Sequence, residues 1–268
     1  MAMQDESSLD DTLALMRDLR ARCDWDAAQT HQSLRPYLIE EAHELDDALR
    51  AENDAEIRAE LGDLLLQVLF HSVIAEERGA FSLRDVADTL IAKMRARHPH
   101  LYGDGEKVAW ERMKAKTRVS IVDGLPVDLP ALHRAHRLQD RAAGVGFDWP
   151  DASGPAEKVE EELREVRDEL TAHPDESVTE SAARVDRLED ELGDLLFAAV
   201  NLCRKAGVHA SVALDRANTK FARRFEAVEL LAKARGIDVK SAGLSVLDEL
   251  WDEVKLSRRD AGQHGDER

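Results

Sequence analysis

Ten acidic residues stand in two blocks of the same order. The first runs Glu40-Glu41-x-x-Glu44 and, after fifteen intervening residues, Glu60-x-x-Asp63. The second runs Glu161-Glu162-x-x-Glu165 and, after twenty-five, Glu191-x-x-Asp194. Carboxylates three or four apart share a helix face, so each block reads as two helices that each present a carboxylate pair. Glu60 and Asp63 open the run ELGDLLLQVLFHSV, and Glu191 and Asp194 open ELGDLLFAAVNLC; both runs are apolar enough for core helices. Four carboxylates converging beside such helices repel one another and lose hydration, at a cost of several kcal/mol per ion. A divalent cation removes that cost. Mg²⁺ takes hard oxygen ligands, keeps several waters and is often completed by substrate phosphates. Acidic residues at helical spacing are usually a solvated face, but the recurrence of the pattern in one ELGDLL context favours a metal site.

Cations follow the carboxylates in each block. Lys220 and Arg224 lie one turn apart, so both can face one anion, and Trp251-x-x-x-Lys255 adds an apolar surface and a third cation. Arg suits bidentate contact with phosphate oxygens and Lys acts as a point charge. The first block is followed by Lys93, Arg97, Trp110 and Lys114 in the same order. A carboxylate–metal cluster facing cations is what a polyphosphate needs, which points to metal-assisted hydrolysis of a phosphoanhydride. No P-loop sequence is present. The histidines show no zinc spacing; His98 and His100 flank Pro99 in an expected loop, and His43, His71, His133 and His136 read as helix surface or packing residues.

The elements that position these residues are helical throughout, since helical periodicity dominates and strand alternation is nearly absent. The spacing predicts helices over 9–22, 34–51, 54–78, 82–97 and 106–118, then 130–143, 155–171, 179–206, 209–235 and 244–257. Asp54 and Ser82 are the expected N-caps. The two sets share four landmarks, counting Asp24-Trp25 and Asp148-Trp149 before the acidic blocks, so the fold expected is all-α, a tandem repeat. The repeats are placed at residues 1–122 and 123–257, with a mobile polar tail at 258–268.

Bulk properties narrow the class. The 268 residues are 43% hydrophobic, 34% charged and 4% aromatic, and the net charge is −18. That charge disfavours nucleic acid or an anionic membrane as partner. Two cysteines, Cys23 and Cys203, make no disulfide framework, the N-terminus lacks an apolar signal segment, and no run reaches the ~18 apolar residues of a membrane span. A cytoplasmic protein is expected.

These residues resemble the MazG family of nucleoside triphosphate pyrophosphohydrolases, within the all-α NTP pyrophosphatase group. Its EExxE…ExxD pattern matches both acidic blocks, and its two-repeat members carry a junction similar to DGLPVDLPALHRAHRLQDRAAGVGFDW at residues 123–149. The resemblance spans about Leu13 to Lys255. It implies two MazG-like helical bundles, Mg²⁺-dependent hydrolysis of NTPs or dNTPs to NMP and pyrophosphate, with Mn²⁺ as a substitute, and a homodimer. Carried over by position, Glu162, Glu165, Glu191 and Asp194 would hold the metal, with Lys220, Arg224 and Lys255 on phosphates and Trp251 lining the pocket. Glu41, Glu44, Glu60 and Asp63 are the first-repeat counterparts, with Lys93, Arg97, Trp110 and Lys114. Spacing leaves the general base open between carboxylates such as Glu161 and Asp190, with Glu162 also a catalytic candidate. Arg187 and Asn218 favour the second repeat for catalysis, because the first has Glu56 and Ile91 there. Alternatives are a dUTP- or modified-dNTP-specific pyrophosphatase and a non-enzymatic acidic helical adaptor with vestigial metal sites.

Overall fold

Capping and breaking residues set the helix boundaries. The computed structural model describes residues 8–105, 110–115, 118–172 and 178–263, which hold twelve helices and no strand. It divides into two compact units, Met1–Lys107 and Val108–Arg268. None of the described helices is long and apolar enough to cross a membrane.

In the first unit, α1 (Leu9–Arg22) starts at a capping box in which Ser8 and Asp11 satisfy each other's backbone donors. After α2 (Asp24–Ala28), α3 (Arg35–Ala51) begins with proline in its first turn and stops at Glu52, whose backbone is left-handed (φ 54°). Helix α4 (Asp54–Glu77) is capped by Asn53, not by the expected Asp54: the Asn53 side chain accepts from the Ala55 and Glu56 amides, while Asp54 is already helical. Ser82 does cap α5 (Leu83–Ala96), again in a capping box, with Asp85. The segment expected as a loop around His98 and His100 instead forms a short helix, α6 (Pro99–Tyr102), because proline suits a first helical turn.

Met16, Leu34, Leu69, Phe70, Val73 and Ile74 form the core of this unit. Arg20 closes α2 by donating to the Asp26 and Gln29 carbonyls at 2.5 and 3.0 Å, and it pairs with Glu77 across α4. His31 and His71 share a hydrogen bond between their Nδ1 atoms at 2.8 Å.

The second unit opens with α7 (Trp110–Ala115), which packs on α8 (Ala131–Gly144). Division thus falls ahead of the junction expected at 122/123, and Trp110 and Lys114 belong to the second unit instead of closing the first repeat. The reason is an ion network: Glu111 accepts from Arg118 at 2.9 Å and from Arg137 of α8 at 2.8 Å. Helices α9 (Ser153–Ala172) and α10 (Val178–Lys205) form a long antiparallel hairpin. Its direction follows from the Arg187–Glu169 ion pair toward one end and the cavity that Pro155 and Asn201 share toward the other. Helix α11 (Ala210–Ala234) touches α8, α10 and α12, whereas α12 (Gly243–Gln263) packs on α11 alone among the described helices. Val228, Ala232, Leu250 and Val254 make the α11–α12 core. Helix α12 runs on to Gln263, so the tail expected from 258 begins as helix; 264–268 lie outside the described residues.

Phe70 is 3% exposed, meets Trp25 edge-on and lies beneath the Arg20 guanidinium. Phe70→Ala is expected to destabilise the first unit by about 3–5 kcal/mol, and Ser82→Ala by about 1 kcal/mol through the lost cap. Urea midpoints of the purified variants check both values.

Candidate metal centre

The register of the α9–α10 hairpin brings Glu162, Glu165 and Glu191 together, each with an oxygen within 4.8 Å of the others. Glu162 lies on the inner face of α9 and is 4% exposed. Its Oε1 meets Lys158 Nζ at 2.5 Å, one turn earlier. Its Oε2 is buried and has no hydrogen-bond partner. Glu165 is pushed above the usual carboxylate range, first by its hydrogen-bonding approach to Glu162, then by burial and by the charges of Glu162 and Glu191. Like charges gathered around an orphaned carboxylate oxygen fit a hard divalent cation, since oxygen donors of this kind are what such an ion takes. Asp194 is outside the three-carboxylate group but lines the same cavity as Glu162. Glu161 pairs with Lys158 at 2.8 Å, which lowers its pKa, and Asp190 is exposed on α10. Lys158 is correspondingly held above the ordinary lysine range by Glu161 and then Glu162.

The first unit repeats the arrangement on α3 and α4. Glu41, Glu44 and Glu60 converge within 4.8 Å. Burial and then the charge of Asp63, followed by Glu44, Glu60 and Glu40, push Glu41 upward, so Asp63 stands close by. Here no lysine intervenes: Tyr37 occupies the place, four residues before Glu41, that Lys158 holds before Glu162.

The expected cations are arranged otherwise. Arg187 pairs with Glu169 at 2.8 Å. Asn218 and Lys220 are exposed on α11. Arg224 lies over the Trp251 ring, 6.0 Å from its centroid, and Trp251 also meets Phe221 at 5.4 Å. Lys255 pairs with its helix neighbour Asp252 at 2.9 Å. Trp251 and Lys255 sit on α12, whose only neighbour among the described helices is α11. Lys93 lies on α5 and Arg97 ends it; Lys114 lies 3.9 Å from Glu111, and the Trp110 side chain is outside the described residues.

A cavity of about 510 Å³ opens beside Glu162 and Asp194. Phe147, Trp149 and Phe197 give it apolar walls, and Gln139, Asn201 and Arg204 give it polar ones. Trp149 is set against Gly154 so closely that a Cβ there would lie 2.1 Å from the indole ring, which explains glycine at that position. Arg204 holds the rim: it forms an ion pair with Asp148, and its Nε and Nη2 reach Asn201 Oδ1 at 3.0 and 2.7 Å. Lys158, Asn201 and Arg204 were absent from the residues expected from sequence. Helical spacing carries a signal for two of them, since Lys158 precedes Glu162 by one turn and Asn201 follows Asp194 by two. Gln139 has no comparable signal, because its place depends on how α8 packs.

Burial alone would raise the Asp148 carboxyl, but hydrogen bonds from Arg204 and Lys205, with their charges, bring it below the ordinary value of 3.8. A depressed carboxylate stabilises the fold above its unfolded pKa, and that contribution is lost as pH falls through the folded one. Asp148→Asn is therefore expected to cost about 2 kcal/mol at pH 7. The gap between variant and parent should narrow below pH 3.8. Chemical denaturation at stepped pH measures it.

Comparison with known proteins bears on this centre. The MazG nucleotide pyrophosphohydrolase domain matches residues 29–102 and 155–229. The chain is 42% identical over 255 residues to the nucleoside triphosphate pyrophosphohydrolase/pyrophosphatase MazG of Thermotoga maritima, covering 92% of this chain and 95% of that one. It is 39% identical over 257 residues to the nucleoside triphosphate pyrophosphohydrolase of Escherichia coli K12, covering 91% and 95%. An uncharacterized Bacillus subtilis protein, YabN, is 40% identical over 259 residues, 92% of this chain but 51% of its own length.

Proposed function

The chain belongs to the MazG nucleotide pyrophosphohydrolase domain family, and from that premise we propose that it hydrolyses (deoxy)nucleoside triphosphates to nucleoside monophosphate and pyrophosphate with Mg²⁺. The observation that carries the metal reading is the buried, unpartnered Glu162 Oε2 within the Glu162–Glu165–Glu191 cluster. These three carboxylates, with Asp194 beside them, would hold the ion; Mn²⁺ suits the same oxygen donors. When bound there, the ion would supply Lewis-acid chemistry for the hydrolysis of a phosphoanhydride. Lys158 lies against Glu161 and Glu162 at the cavity edge and supplies positive charge where phosphate would arrive. Glu161, held by Lys158, and Asp190 remain the carboxylates available to orient water. The aromatic-walled cavity accepts the nucleoside end, with Trp149 as a flat surface for the base.

Because α12, which carries Trp251 and Lys255, packs on α11 alone among the described helices, we read the site as completed in a homodimer, in which a second copy brings further cations. Exposed apolar residues on α10, Leu192 (40%), Leu196 (59%) and Phe197 (44%), give such a partner a surface. The absence of a membrane-spanning helix among the described residues is in keeping with work on soluble cytoplasmic nucleotides.

Catalysis is assigned mainly to the second unit. Lys158, Arg187 and Asn218 have Tyr37, Glu56 and Ile91 as first-repeat counterparts, none of which can contact phosphate as a cation. Glu165→Ala is expected to reduce kcat/KM for NTPs by at least ~100-fold, and Glu44→Ala to leave it close to the parent value. Product analysis with and without Mg²⁺ tests the reaction. Release of nucleoside diphosphate and orthophosphate, or equal losses in the two variants, would count against it.

A further inference from the structure

Two amides in the cavity wall are held in fixed orientations. Gln139, on α8 and 5% exposed, donates from Nε2 to the Phe197 carbonyl at 2.8 Å. Turning that amide over would set two carbonyl oxygens against each other, so Oε1 is the atom left over. Gln139 Oε1 is buried and has no hydrogen-bond partner, although its residue lines the cavity. A native buried acceptor without a partner calls for an explanation. Asn201, 7% exposed, uses its Oδ1 to accept two Arg204 donors, at 3.0 and 2.7 Å. Its amide nitrogen donates to no protein atom among the described residues and remains for the cavity. An oriented acceptor, an oriented donor and the flat faces of Phe147 and Trp149 together suit a planar heteroaromatic ring that carries an N–H next to a ring acceptor.

Adenine and cytosine present that pattern as an exocyclic amine beside a ring nitrogen. Uracil presents a carbonyl beside a ring N–H, as does the Watson–Crick edge of guanine, whose 2-amino group beside N3 lies toward the sugar. A base carbonyl would set its oxygen against Gln139 Oε1, whereas an amine would donate to it.

We propose that Gln139 is a specificity-determining residue whose Oε1 accepts the exocyclic amino group of an adenine or cytosine nucleotide, with Asn201 donating to the adjacent ring nitrogen. The proposal rests on the nucleoside triphosphate reading given above. Its test is a cycle between one side chain and one ligand group. ATP is compared with purine ribonucleoside triphosphate, and CTP with 2-pyrimidinone ribonucleoside triphosphate; each pair differs by the amine alone. The parent protein is expected to lose at least about tenfold in kcat/KM when the amine is removed. Gln139→Leu is expected to show a penalty under about twofold, because its acceptor is gone. Each penalty is a ratio within one protein, so a reduced folded fraction cancels, and Gln139→Met serves if the leucine variant does not fold. A penalty of equal size in parent and variant, or none in the parent for either pair, would overturn the assignment of Gln139. A parent with no Mg²⁺-dependent turnover of any NTP would overturn the underlying reading instead.

Discussion

Repulsion among carboxylates that the helix register forces together is the constraint on which the second unit turns. Glu162, Glu165 and Glu191 converge because α9 and α10 pack antiparallel, and both helices bury apolar residues, Val166 on α9 and Ala198 and Val200 on α10. A hydrophobic seam chooses the register, and the charges must accept it. Removing a carboxylate from water costs several kcal/mol unless it is paired, and Glu162 is paired through one oxygen only. The other oxygen is buried without a hydrogen-bond partner among the described residues. A site of this kind gives up stability at a place where binding restores it.

The first unit shows what the same hairpin becomes without that polar wall. Its carboxylates converge equally closely. Ten and thirteen residues after Glu191 stand Asn201 and Arg204; at the same distances after Glu60 stand Phe70 and Val73, each 3% exposed and part of the core. What lines a cavity in one copy fills the interior in the other. Duplication has thus preserved the acidic face, which depends on spacing within a helix, and let the opposite wall diverge, which depends on side-chain size and polarity. The loss of Lys158 to Tyr37 belongs to the same divergence.

Legibility in the sequence follows the range of the interaction. The long helices were readable because periodicity and caps act within a few residues; the Ser82–Asp85 capping box is a case. The carboxylate triads were readable too, since a face three or four residues apart is fixed by helix geometry alone. Asn53 was passed over for Asp54 because both residue types cap well and only the backbone angle separates them. The compact units divide at 107/108, ahead of the repeat boundary placed at 122/123 by the order of Trp110 and Lys114 against Trp251 and Lys255, because the ion pairs from Glu111 to Arg118 and Arg137 hold α7 on α8. Gln139 and Arg204 act across helix interfaces, and no local pattern announces that.

The cations mark the limit of reading one chain as a complete site. Lys220 and Arg224 share a helix with Val228 and Ala232, which tie α11 to α12. Arg224 and Phe221 close on Trp251, so the α11–α12 pair has its own core and its own aromatic face. Swinging α12 away from α11 would open that core and expose Leu250 and Val254, which are 2% and 7% exposed. Burial of two such side chains is worth about 3–6 kcal/mol, more than a single exposed ion pair returns. A second copy that presented its own α11–α12 face to α10, as in the homodimer proposed above, would supply cations without unpacking anything. The economy of that arrangement is the physical argument for a site shared between subunits.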